Sequence, residues 1–182
     1  MKMMKILIVV IVLLIFALLA GYAWLGGFSK VTVYKKVQGG ETVVYHSLTG
    51  DYKQSAGAMD DIYYRLKNDY QIETFKGFGI FYDNPQKVEK SKLRSEAGCI
   101  IEHTDTSRLP ELPENLKRKV LPEKEYLVTE FPYKGKMSVM ASLMKVYPAL
   151  NKYTKEHNLN PDGAVTEIYD VPAGKIYYRK EM

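Results

Sequence analysis

Positions 6–25 read ILIVVIVLLIFALLAGYAWL, twenty residues without a charge. After them the chain changes to short alternations and helical stripes. At 1.5 Å per residue the uncharged run spans a hydrocarbon core of about 30 Å. Tyr22 and Trp24 fall where an interfacial aromatic belt is expected. A cleavable secretory signal has a shorter apolar region of about 7–15 residues. Although Gly21-Tyr22-Ala23 would serve as a cleavage site, the pattern predicts an uncleaved transmembrane anchor within residues 1–29. Lys2 and Lys5 precede the run and Lys30, Lys35 and Lys36 follow it, so the flanking charge is nearly balanced. A short basic N-terminal flank is expected to stay cytoplasmic, which makes the remainder extracytoplasmic.

Beyond the anchor, residues 31–37 (VTVYKKV) and 42–48 (TVVYHSL) alternate as strands do, with a turn marked by Gly39-Gly40. In residues 53–70, Ala56, Met59, Ile62, Tyr63, Leu66 and Tyr70 recur at three- and four-residue steps, predicting a helix with one buried stripe. Strands GFGIFY and AGCIIE follow. Residues 126–131 (YLVTEF) open a second round. A helix is predicted over 136–157, with Val139, Leu143, Val146, Leu150 and Tyr153 on one side and a kink or break before Pro148. Residues 164–169 and 175–179 are the closing strands. Tyr82-Asp83-x-Pro85 and Tyr169-Asp170-x-Pro172 stand 87 residues apart, since 82 + 87 = 169. The expected fold is α+β. Strand–helix–strand–strand units, about 31–103 and 125–182, pair as pseudo-two-fold halves of one body over residues 30–182, because one helix covers an apolar sheet face only partly.

Composition narrows the chemistry. The 182 residues, 46% hydrophobic and 12% aromatic with fifteen tyrosines, suit one ordered domain. Net charge is 26 − 21 = +5, and +3 beyond residue 29, where 24 basic residues meet 21 acidic ones. Lys117-Arg118-Lys119 reads as a solvated face, and no motif for nucleic acid is present. A lone Cys99 rules out an internal disulfide. Cys99 and His103, four apart, read as a core cysteine and its neighbour rather than a dyad. His46, His103 and His157 lack metal-ligand spacing, and neither a nucleophile motif nor a phosphate loop is present. No cofactor or metal is expected.

Glu167 in TEIYDVP interrupts an apolar strand. Such a residue is commonly half exposed and paired across the sheet, here with Lys175 or Arg179. The alternative is a polar group in an aromatic groove. LTGDY (48–52), GIFYDNPQKVEKSKLRSEAGC (79–99), FPY (131–133) and the TEIY strand, in this order, resemble the GyrI-like effector-binding domains over residues 31–182. FYDNPQKV, VTEFPYKGKMSVMASL and VYPALNKYTKEHNL are most similar to the membrane-anchored, testis-expressed ER-phagy receptor type. The resemblance implies a groove between two halves that binds small molecules, often cationic and aromatic, with Glu167 at the position whose glutamate meets the ligand's charge. In the 87-residue register Ile80 matches Glu167, so Glu167, Tyr169, Tyr82 and Ile80 are the expected ligand-binding residues. The expected function is a single-pass membrane module that binds a small molecule. One alternative is an adaptor that docks protein partners. Another is a hydrolase with Glu167 as general base, for which the sequence offers no second catalytic group. The chain ends at Met182, so neither the autophagy-binding tail of those receptors nor the DNA-binding module of the regulators is expected to contribute.

Overall fold

The computed structural model describes all residues except 1, 103, 104, 106–108, 110, 111, 114 and 115; the Cys99–His103 pairing therefore lies outside the described residues. The elements in order are α1 (Lys2–Trp24), β1 (Tyr34–Gln38), β2 (Thr42–Thr49), α2 (Gln54–Asp69), β3 (Lys76–Phe81), a short 3-10 turn, β4 (Arg94–Ile101), β5 (Lys117–Val120), β6 (Lys124–Pro132), α3 (Lys136–Glu156), β7 (Val165–Asp170) and β8 (Lys175–Lys180). One antiparallel sheet runs β1-β6-β8-β7-β3-β4-β2-β5. β2-α2-β3-β4 fills one half and β6-α3-β7-β8 the other, meeting where β3 pairs with β7.

Gly39-Gly40 does not close a hairpin. β1 pairs with β6, and β2 pairs with β4 and β5. Six strand spacings of about 4.8 Å would separate β1 from β2 in a flat sheet, roughly 29 Å. The link from Gln38 to Thr42 reaches no more than about 15 Å. The sheet therefore curls until its ends approach. Where the links cross, Gly40 N–H donates to the Leu121 carbonyl and Leu121 N–H to that of Glu41. Gly39, at φ +130°, has no room for a Cβ, which would lie 2.2 Å from the Pro122 carbonyl oxygen.

Curling gives the sheet an inner face. Val43, Tyr45, Phe78, Ile80, Ile100, Leu121, Ala164 and Ile168 form a core there. Both helices pack on the other face. α2 lies over Val44, Cys99 and Ile101, and α3 over Leu127, Phe131, Val165, Ile176 and Tyr178. Burial pushes the Cys99 thiol up to about 12, as expected of a core cysteine.

Pro148 does not split α3, which continues from Lys136 to Glu156. Its innermost positions are Ser138, Ser142, Val146, Leu150 and Thr154, while Leu143 is exposed. The helix is thus turned slightly from the expected stripe, because the Tyr178 hydroxyl beneath it needs a small polar partner. Ser142 Oγ donates to the Val139 carbonyl at 2.7 Å, which leaves Tyr178 as donor to Ser142 at 2.5 Å.

Candidate functional site

Glu167 lies on β7 at the junction of the halves, paired with Gly79 of β3 on one side and Tyr178 of β8 on the other. Strand alternation turns Glu167 and Tyr169 toward α3. Glu167 is only 2% exposed. Tyr147, on α3, donates its hydroxyl to Oε1 at 2.7 Å, and Tyr169 makes a short hydrogen bond to Oε2. Tyr147 also meets Tyr178 edge-on, as Tyr133 meets Tyr169. The result is a carboxylate roofed by phenols.

Burial raises the Glu167 pKa above its ordinary 4.5, while the hydrogen bonds from Tyr169 and Tyr147 oppose that rise. The same burial, reinforced by the nearby carboxylate charge, pushes Tyr147 and Tyr169 well above 10. The cross-strand cations weighed from sequence are engaged elsewhere. Lys175 bonds Glu130 at 2.7 Å. Arg179, on the opposite face, holds Glu41 through two nitrogens at 2.9 and 2.5 Å. Among the described ion pairs, none includes Glu167.

Ile80 and Tyr82 do not join this cluster. Ile80 pairs with Thr166, so its side chain points to the inner face, and Tyr82 packs against that same inner core. The 87-residue register fails in the sheet, where Ile80 faces the inner core and Glu167 faces α3. Three of the four buried positions of α2 fall on buried positions of α3 at 88 residues, 58 + 88 = 146, 62 + 88 = 150 and 66 + 88 = 154, while Ser55 falls on exposed Leu143. In the strands the same offset gives 79 + 88 = 167 and 81 + 88 = 169. At that offset Gly79 and Phe81 stand in the places that Glu167 and Tyr169 occupy on β7. Gly79 and Glu167 are also direct partners in the sheet, where β3 meets β7. Phe81 folds its ring over Gly79, where a Cβ would come within 2.9 Å of it. A second carboxylate there would repel the first.

Sequence reasoning missed Tyr147, Tyr178 and Gly79. Only the tyrosine in VYPAL, beside the helix proline, carried a signal. Two of the clefts among the described residues lie elsewhere. One of about 440 Å³ lies between Asn84, Lys87, Lys155 and Asp162, and one of about 260 Å³ lies beside Tyr82, Arg94 and Glu96. Neither reaches Glu167.

A curled eight-stranded antiparallel sheet thus carries two helices on one face, with one buried acid, Glu167, at the junction of the halves. Residues 35–178 match the GyrI-like small molecule binding domain, and the chain belongs to that family. The testis-expressed protein 264 homolog of Mus musculus is 28% identical over 140 residues, covering 73% of this chain and 45% of that protein. The chain thus spans less than half the length of that relative. Among solved structures, EcmrR in its DNA complex superposes with a TM-score of 0.58 at 11% identity, covering 91% of this chain and 63% of that one. SAV2435, solved bound to tetraphenylphosphonium, gives 0.50 at 11% identity, with 82% of this chain and 94% of that one covered. At such identities the likeness is one of fold. The apolar helix α1 is long enough to cross a membrane, and none of it is buried against the rest of the protein.

Proposed function

We propose that the protein is a membrane-anchored capture module for a small organic cation, which binds against Glu167 beneath α3. The reading rests on one observation: Glu167 is buried among phenols, with no basic side chain among its described partners. A cation about 4 Å from that carboxylate contributes roughly 4 kcal/mol at an effective dielectric near 20. Tyrosine faces add about 0.5–2 kcal/mol. Entry requires Tyr147 to swing away, since Glu167 is only 2% exposed and the Tyr147 hydroxyl covers it. The likeness of fold to SAV2435 makes tetraphenylphosphonium the natural probe.

The test is calorimetric titration of the full chain in nanodiscs with tetraphenylphosphonium, with Glu167→Gln as reference for partitioning into lipid. Loss of about tenfold or more in affinity, some 1.4 kcal/mol, is expected in the variant. Equal heats and affinities for both proteins would sink the counter-charge reading. A second reading is favoured by the closed packing of Tyr147, Tyr169 and Tyr178: the site is vestigial and the domain acts as a membrane adaptor for protein partners. Under that reading neither protein binds the probe.

A further inference from the structure

We propose that the outward face of α3, carried by Met137, Met140 and Met144, lies in the interfacial layer of the bilayer that α1 crosses. The inference rests on reading α1 as a membrane span. These methionines are 64%, 59% and 78% exposed. Their spacing of three and four residues places them in one row, roughly 10 Å long at 1.5 Å per residue. Three large apolar side chains in solvent on about two turns of helix call for a cover. Methionine, unbranched and polarizable, adapts to irregular apolar surroundings such as acyl chains.

What identifies the cover is the path of the chain leaving α1. Gly26 lies against the rings of Phe131 and Pro132, just below α3. Lys145, one residue past Met144, donates its ammonium to the carbonyls of Gly27 (2.5 Å) and Ser29 (2.7 Å). Phe28, between those carbonyls, is 68% exposed and touches the Tyr22 ring. The end of the anchor is thus clipped to the flank of α3, and the methionine row begins beside the point where the chain leaves the bilayer. Charge agrees. Exposed Lys134 and Lys136 stand at the start of α3, whose only acid is Glu156 at its far end. That arrangement suits a headgroup layer. α2, the matching helix without an anchor beside it, turns Gln54, Asp60 and Lys67 outward.

The experiment uses the full chain in nanodiscs, with an environment-sensitive NBD label on Met140→Cys, on Met144→Cys, or on Tyr64→Cys of α2 as a solvent reference. Native Cys99 is buried and stays unlabelled. Blue-shifted emission at 140 and 144, quenched about twofold more than at 64 by lipids spin-labelled near the headgroup, is the expected result. Labels at 140 and 144 that behave like the label at 64 overturn the proposal, while Trp24 emission quenched by the same lipids leaves the anchor standing. Trp24 left unquenched removes the anchor reading and this inference with it. Shielding that vanishes at one copy per nanodisc assigns the face to a second copy of the chain and also overturns the proposal.

Discussion

A carboxylate between two phenols, cut off from water, binds its proton more tightly in the folded protein than in the unfolded chain. The sign follows from linkage. A folded pKa raised above 4.5 contributes stability that is complete below 4.5 and is lost as pH rises through the folded value. Glu167→Gln should therefore flatten the fall in melting temperature above pH 4.5 while weakening cation binding. Melts of both proteins from pH 4 to 8 check this, and curves that stay parallel contradict it. A bound cation favours the ionised acid, so tetraphenylphosphonium affinity should rise with pH over the same window. Tyr147→Phe removes one donor to a buried acceptor and should cost about 1–3 kcal/mol in denaturant unfolding. Whether Glu167 faced a groove or a cross-strand lysine was undecided in the sequence, because strand alternation gives the parity of a side chain but not what lies above it.

Among the elements, α3 carries both the roof of the site and its weak point. Pro148 has no N–H for the Met144 carbonyl one turn back, so the helix lacks a rung directly after Tyr147. Pro148→Ala should restore that rung, raise the melting temperature and slow entry of the cation, as stopped-flow mixing would show. Faster entry in a more stable protein would mean that α3 does not open there. The crossing links are the other sensitive place. Gly39→Ala puts a methyl against the Pro122 carbonyl at a positive φ, and should destabilise the fold by several kcal/mol, on the order of overpacking plus backbone strain. A midpoint of unfolding close to that of the native chain would show that the links can part. The strands and helices were legible as periodic stripes, but not the turn of α3 about its axis, since Ser142 was drawn inward by Tyr178 on a strand 36 residues away.

At the scale of the whole molecule the segment that follows α1 is not a loose tether. Gly26 and Gly27 are buried, and Val31 and Val33 pack into the core beneath α3. A chain beginning at Leu25 should accordingly melt higher than one beginning at Lys30, and thermal unfolding of the two decides it. The proposed anchor, with its short basic N-terminus in the cytoplasm, predicts that protease added outside intact cells degrades the domain; protection would reverse the orientation. By itself the sequence determined what local pattern can determine: an uncharged run long enough for a bilayer, the order of strands and helices apart from β5, which lay in a basic run read as a solvated face, and an acid at residue 167 in an apolar strand, because length, period and charge are properties of neighbouring residues. Which faces share a core was decided only when β3 met β7 and the sheet curled. Pairing between distant strands set Gly79 opposite Glu167, sent Ile80 and Tyr82 to the inner face, and brought Tyr147 down over the carboxylate. A one-residue difference in register reverses the side of every side chain, and no single strand contains the information to fix it.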